Sequence, residues 1–145
     1  MTHYAEGLID TGPIVAAAIR NDRKHDVCVE VFNQFRRERR ELLVPAFVAG
    51  EVSYMLGKIG GAKVEAGFLR SLRSGIFDLV DLTDDDLDRI ADLVERYSDL
   101  PLGSADASVA AVAERLRITE VFTLDTRDFS VVRPAHAAAF TLVPG

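Results

Sequence analysis

The sequence predicts an α/β fold with a short, mostly parallel central sheet and helices on both faces. Short apolar runs bounded by turn residues are typical of buried strands, and the segments between them carry apolar residues at helical spacing. Strands that alternate with helices form parallel sheets, because a parallel neighbour is reached only through a crossover connection. The 145 residues contain no internal repeat, low-complexity tract or linker, so we predict a single domain over residues 1–145.

The predicted elements follow one another in a regular order. Apolar runs predict strands at 7–10, 42–46, 76–82 and 120–124, with a weaker strand at 139–143. Helical spacing predicts helices from Pro13 through residue 19, and over about 24–39, 46–59, 62–74, 83–97 and 102–116. Pro13 suits the first turn of a helix. The glycine pair at 60 and 61 separates two neighbouring helices.

Two carboxylates directly follow predicted strands. Asp10 comes after the apolar run GLI and before the turn TGP, and Asp125 comes after VFTL. In a doubly wound sheet, functional groups collect where parallel strands end and helices begin. Asp10 and Asp125 are therefore candidates for one site. Asp128, three residues further on, is the alternative to Asp125 unless it only serves a turn or a helix cap.

Two more carboxylates lie in the early turns of predicted helices. Asp106 shares a helical face with apolar residues such as Val109, whereas Ser108 is predicted to lie off that face. Ser104 is predicted to cap this helix. Glu51 lies in the second turn of another helix, among apolar neighbours. An ionised carboxylate on a buried face is costly unless cations or donors compensate it, which makes both acids candidate site residues.

The acid run at 84–86 has a simpler explanation. These three aspartates follow Thr83, which is a suitable N-cap, and they occupy the first turn of the next helix. Acids in that turn complement the positive end of the helix dipole. We therefore leave them out of the candidate site.

Convergence of Asp10, Glu51, Asp106 and Asp125 would require positive charge between them, because neighbouring carboxylates repel one another. Carboxylates and water suit Mg²⁺ or Mn²⁺, and such an ion can activate water and contact a phosphodiester. The histidines lack the spacing of a zinc site and are predicted to be structural or on the surface: His3, His25 and His136. No nucleophile motif or phosphate-binding loop occurs in the sequence.

The composition limits the function classes further. A net charge of −6 argues against a protein that coats nucleic acid by charge alone. The basic residues near 20–25, together with the RRERR run at 36–40, are candidate phosphate contacts. The single cysteine, Cys28, is predicted to be buried. Without a predicted signal peptide or membrane span, we expect a cytoplasmic protein with no membrane partner.

Four segments carry a family resemblance. LIDTGPIVA, VAGEVSYML, GSADASVAAVAERL and VFTLDTRDFSVVRP resemble, in order and approximate spacing, the acidic motifs of PIN-domain ribonucleases, and particularly of VapC toxins. By this resemblance Asp10, Glu51, Asp106 and Asp125 match the four site acids, which are the expected catalytic and metal-binding residues. The family's first and third acids, here Asp10 and Asp106, are its most usual metal ligands. The polar positions near the metal match Thr11, Ser104 and, more weakly, Thr123.

The resemblance implies a function as well as a PIN-like fold. It implies an Mg²⁺- or Mn²⁺-dependent endoribonuclease that cleaves RNA needed for translation, works as a homodimer and is blocked by a cognate antitoxin protein. Two alternatives remain at this point. One is a non-catalytic interaction module with the same fold. The other is a phosphoryl-transfer domain that uses Asp10, although LIDTGP lacks a second acid two residues on and no lysine follows position 63.

Overall fold

The computed structural model describes residues 6–145, which contain a five-stranded, fully parallel sheet. The strands in chain order are β1 (Gly7–Ile9), β2 (Leu42–Pro45), β3 (Phe77–Val80), β4 (Glu120–Phe122) and β5 (Thr141–Val143). Their spatial order is β3-β2-β1-β4-β5, with every neighbouring pair parallel. The predicted α/β fold class is confirmed, and all five predicted strands are present.

Seven helices flank the sheet within the described residues. They are α1 (Thr11–Ala18), α2 (His25–Arg37), α3 (Ala46–Gly60), α4 (Ala62–Ser71), α5 (Asp84–Arg96), α6 (Ser104–Leu116) and α7 (Thr126–Val131). The first six correspond to predicted helices. The short α7 was not predicted, because six residues are too few to display a helical period. None of these helices is long and apolar enough to cross a membrane.

The strand order changes direction at β1, because β2 and β3 follow on one side of it and β4 and β5 on the other. This central strand pairs with β2 on one side and with β4 on the other. Its pairing continues past the strand end, where the Asp10 N–H donates to the Phe122 carbonyl at 3.0 Å. Such a switch point leaves a crevice at the carboxyl ends of the two strands. Residues that directly follow β1 and β4 are therefore placed side by side.

The hydrophobic core is centred on β1, β2 and β4. Phe122 is fully buried and packs against two aromatic rings of α2, those of Phe32 at 5.1 Å and Phe35 at 6.3 Å between centroids. Cys28 is buried in the same core, as predicted, and burial raises the pKa of its thiol to about 11. This packing fixes α2 on the sheet and holds the central strands rigidly.

The histidines contact backbone carbonyls. His25 Nδ1 lies 2.9 Å from the Ala16 oxygen, and His136 Nε2 lies 2.7 Å from the Ile118 oxygen. Both contacts join elements of the fold, which agrees with the structural role predicted for these side chains. The prediction for His3 lies outside the described residues.

Two details of α6 differ from the sequence prediction. Gly103, in extended backbone, is the N-cap, so Ser104 is the first helical residue and makes no capping hydrogen bond; the predicted Ser104 cap was wrong. Ser108 is fully buried, although it was predicted to lie off the apolar face. Its hydroxyl donates to the Ala105 carbonyl at 2.6 Å, and this local bond satisfies it inside the helix.

The start of α5 confirms the predicted cap and adds a second interaction. The Thr83 hydroxyl accepts from the Asp86 N–H, and the Asp86 carboxylate accepts from the Thr83 N–H, each at 3.0 Å. The same carboxylate accepts from the Arg115 guanidinium of α6 at 3.0 Å. Asp86 therefore joins α5 to α6 as well as capping α5.

Candidate active site

Asp10 lies at the switch point, between the end of β1 and the start of α1. Its side chain is 4% exposed. The Thr123 hydroxyl donates to Asp10 Oδ2 at 3.0 Å and accepts from the Asp125 N–H at 2.9 Å. Asp10 Oδ1 is buried and has no hydrogen-bond partner among residues 6–145. One oxygen of this carboxylate is thus fixed by the fold, and the other is left without compensation.

All four predicted acids line one cleft of about 440 Å³. Its walls come from the residues after β1, from α3, from the first turn of α6 and from the residues after β4. The lining residues are Asp10, Thr11, Gly12, Glu51, Met55, Asp106, Leu124 and Asp125. The predicted convergence of the acids is therefore present in the fold.

The pKa values of two acids in the cleft are raised, and that of Asp106 is raised strongly. Burial raises its pKa to about 8, together with the charge of Asp10, a hydrogen bond with Asp10, and the charges of Asp125 and Glu51. The pKa of Asp10 is also raised, mainly because its carboxylate is buried. The Asp10–Asp106 pair therefore retains a proton near neutral pH when no cation compensates the cluster.

The Asp125 side chain has a structural contact as well as a place in the cleft. It caps α7, since Asp125 Oδ1 accepts from the Asp128 N–H at 3.1 Å. Oxygen atoms of Asp106, Asp125 and Asp128 all lie within 4.8 Å of one another. Burial raises the pKa of Asp128, as do its hydrogen bond with Asp125 and the charge of Asp125. Asp125 and Asp128 thus belong to one acidic cluster, and Asp125 is the one of the two that lines the cleft.

Glu51 is the exposed acid of the cleft. It lies on α3, and its charge contributes to the raised pKa of Asp106. The three aspartates of the cleft are less exposed than Glu51. Glu51 is therefore the acid that solvent and a large ligand reach most easily.

The polar neighbours of the acids fall into two groups. Thr11 lines the cleft, and within the described part of the chain its buried hydroxyl oxygen has no hydrogen-bond partner. Thr123 is fully buried behind the acids and bridges two of them. Ser104, by contrast, is exposed and does not line the cleft. The sequence resemblance gave Thr123 the weakest match, but its position between β4 and Asp125 is the signal that identifies it.

The predicted basic clusters lie apart from the acids. None of their residues lines the acidic cleft. Arg20, Arg23 and Lys24 are exposed. Within the RRERR run, Arg37 pairs with Glu30, and Arg40 pairs with Glu38 and Glu120. Two arginines of that run therefore have partners within the fold.

The cleft fits a hard divalent cation. Its polar lining groups are carboxylates and a hydroxyl, which are oxygen donors of the kind that Mg²⁺ and Mn²⁺ prefer. The unpartnered oxygen of Asp10 and the raised pKa of Asp106 both indicate that the described residues supply no cation to compensate these carboxylates when they are ionised. Asp106, Asp125 and Asp128 have oxygen atoms close enough to share such an ion, and Asp10 and Glu51 line the same cleft.

Comparison with known proteins agrees with this architecture. The family model of the PIN domain matches residues 7–133. A relative, Ribonuclease VapC26 of Mycobacterium tuberculosis (strain ATCC 25618 / H37Rv), is 29% identical over 137 residues, which cover 94% of this chain and 99% of the relative.

Solved structures share the fold at lower identity. The crystal structure of Mycobacterium tuberculosis VapC20, a toxin that cleaves the sarcin-ricin loop, has a TM-score of 0.76 at 17% identity, over 90% of this chain and 98% of that one. DNA-bound VapBC from Salmonella typhimurium has a TM-score of 0.67 at 17% identity, over 95% of this chain and 96% of that one. VapBC2 from Rickettsia felis, bound to a DNA fragment from its promoter, has a TM-score of 0.64 at 14% identity, over 93% of this chain and 95% of that one. Because the family model covers most of the sequence, the chain belongs to the PIN domain family.

Proposed function

We propose that this protein is an Mg²⁺- or Mn²⁺-dependent endoribonuclease, the toxin of a type II toxin–antitoxin pair, which hydrolyses RNA phosphodiester bonds and thereby inhibits translation. The observation that carries the proposal is the uncompensated acid pair, in which a buried Asp10 oxygen has no partner and Asp106 has a pKa of about 8. The similarity to a relative named as a ribonuclease supports the activity. One domain over residues 1–145 would carry this function.

The side chains of the cleft have distinct parts in this proposal. Asp10 and Asp106 are the main metal ligands, and Asp125 and Glu51 complete the set. A divalent cation held by these residues would supply Lewis-acid chemistry, that is, polarisation of the phosphate, hydroxide near neutral pH and stabilisation of the leaving oxygen. Thr123 orients Asp10 through the hydrogen bond to Oδ2. The raised pKa values mean that Asp10 and Asp106 release their shared proton when the cluster becomes ligated.

The surroundings of the acids argue against the phosphoryl-transfer alternative. Such a domain needs a lysine near its aspartate, and the described residues that line the cleft include none. The structure thus favours metal-assisted hydrolysis over transfer to the Asp10 side chain.

The proposed partners are unpaired RNA, a cognate antitoxin and a second copy of the chain. VapBC complexes among the structural neighbours support the antitoxin. For the second copy, Tyr54, Leu69 and Leu79 are exposed and line one cavity of about 410 Å³ between α3, α4 and β3. Exposed apolar groups of this kind mark interaction surfaces. Light scattering at micromolar concentration should give the mass of a dimer. We also propose that the protein works in the cytoplasm.

The activity is tested by replacing the acids one at a time. Asp10→Asn and Asp106→Asn should each lower metal-dependent cleavage of single-stranded RNA by at least about a thousandfold, since the ligand set is incomplete. Asp99→Asn is the matched control, because Asp99 is exposed and lies outside the cleft. Circular dichroism should show folded protein in all three variants. Full cleavage by either site variant would refute the proposed function.

A further inference from the structure

Arg127 is a cation at the edge of the acidic cluster. It lies in the first turn of α7, between Asp125 and Asp128, and its side chain is exposed. In the described part of the chain, no carboxylate forms an ion pair with its guanidinium. Arg127 directly precedes Asp128, whose carboxylate oxygen lies within 4.8 Å of oxygen atoms of Asp106 and Asp125. Arg127 is therefore close to the acids but not bound to them.

The helix dipole does not favour a cation at this position. Cations are favourable near the C-terminus of a helix and unfavourable in its first turn, because of the helix dipole. Arg89 and Arg115 differ from Arg127, since each of them binds a carboxylate across the α5–α6 contact. The Arg127 guanidinium keeps its donors available for an external anion.

An RNA substrate has to approach a strongly acidic region of this protein. Five carboxylates lie in or beside the cleft, and the whole chain carries a net charge of −6. The residues of the two predicted basic clusters do not line the cleft. Arg127 does not line the cleft either, but it lies between Asp125, which does, and Asp128 of the same acidic cluster. A phosphate next to the reacting one can therefore meet its guanidinium without displacing a partner from it.

We propose that Arg127 binds an RNA phosphate adjacent to the one that lies in the acidic cleft. The inference rests on the proposed ribonuclease function and adds a substrate-positioning residue to it. Phosphate contacts fix the register of a nucleic acid on a protein without reading its sequence. Arg127 thus sets which linkage of a bound strand reaches Asp10 and Asp106, while leaving base preference to other contacts.

The test measures binding of a short, labelled, mixed-sequence, single-stranded oligoribonucleotide by fluorescence anisotropy. The full chain is used, with Ca²⁺ in place of Mg²⁺ to slow cleavage, over a range of salt concentrations. Arg127→Gln should reduce the slope of log K against log salt by about 0.7, the value for one phosphate contact to a single strand. Arg127→Lys should retain the slope. The matched control is Arg73→Gln, because Arg73 is exposed and precedes β3 at the opposite edge of the sheet.

A second measurement separates a contact from a general effect of charge. A neutral methylphosphonate is placed at each linkage of a 2′-O-methyl version of the same strand. Neutralising one particular linkage should weaken RNA binding to the wild type and to Arg73→Gln. It should not weaken binding to Arg127→Gln, because that variant has already lost the contact. Thermal unfolding should show the same midpoint for Arg127→Gln and wild type. If that variant does not fold, the same comparison is made between Arg127→Lys and wild type, where the sensitive linkage should stay the same.

The outcomes distinguish this inference from the proposed function. A wild type that cleaves RNA, combined with an unchanged salt slope and unchanged linkage profile in Arg127→Gln, overturns the role of Arg127 and leaves the ribonuclease intact. A wild type that neither binds nor cleaves RNA overturns both. A linkage whose neutralisation affects the wild type and Arg127→Gln equally also overturns the contact.

Discussion

Asp10 and Asp86 are buried to nearly the same extent, at 4% and 3% exposure, but their surroundings differ. Burial raises the pKa of Asp86, yet the Thr83 N–H and the Arg115 guanidinium lower it below its ordinary value. Asp10 has an unpartnered oxygen, and its pKa is raised. The fold compensates one buried charge and leaves one oxygen of the other without a partner among the described residues. Compensation, rather than burial, distinguishes the capping acid Asp86 from the proposed site acid Asp10.

The largest stability effect is expected at the compensated acid. Asp86→Asn should lower the free energy of unfolding by about 2 kcal/mol, because it leaves the Arg115 guanidinium without its carboxylate partner. Asp10→Asn should leave the free energy of unfolding of the metal-free protein unchanged or slightly higher. Urea unfolding in EDTA compares the two variants. Equal losses would contradict the contrast between these acids.

The pH dependence of stability sharpens the same contrast. The pKa of Asp106 is about 8 in the folded protein and near its ordinary value of 3.8 when unfolded. Between these values the folded state keeps a proton that the unfolded state releases, so stability falls as the pH rises from about 4 to 8. Asp106→Asn should raise the metal-free free energy of unfolding by roughly 1–2 kcal/mol at the high end of this range. At the low end of the range, the variant and the wild type should have nearly the same free energy of unfolding. Urea unfolding in EDTA at the two pH limits measures both differences.

The Thr123 hydroxyl connects two acids of the cleft, so its removal tests how far the fold itself holds them. Thr123→Val keeps the shape but removes the bonds to Asp10 and to the Asp125 N–H, and should lower the free energy of unfolding by about 1 kcal/mol. Metal affinity, followed by calorimetry, should fall as well. Thr123→Ser is the control and should retain both properties. A Thr123→Val protein with wild-type metal affinity would show that Asp10 needs no support from Thr123.

The smallest effect is expected at exposed cations that compensate no buried acid. Replacing Arg20 and Arg23 together by Gln should change the free energy of unfolding by less than about 0.5 kcal/mol. The double variant should bind RNA more weakly across sequences and with a flatter salt dependence, if these arginines contact phosphates. Anisotropy titrations in Ca²⁺ measure both quantities. An unchanged slope would identify them as solvated loop residues.

The sequence predicts the parallel fold and the convergence of the four acids because both follow from local rules. Apolar runs place the strands, and the acids at their carboxyl ends must share one edge of a parallel sheet. Asp128 and Arg127 were harder to place, since their contribution depends on α7, a helix too short to show a period. The Ser104 cap was wrong because the sequence does not reveal that Gly103 takes the extended cap conformation.

Strand β5 has a consequence for how this protein can be shortened. The family model ends at residue 133, before this strand, but β5 pairs with the whole of β4. Its Val143 carbonyl accepts from the Thr123 N–H at 3.0 Å, so the last strand also holds the backbone behind the acids. Cutting the chain at the family boundary would leave β4 as a bare sheet edge, open to strand pairing between molecules and to aggregation.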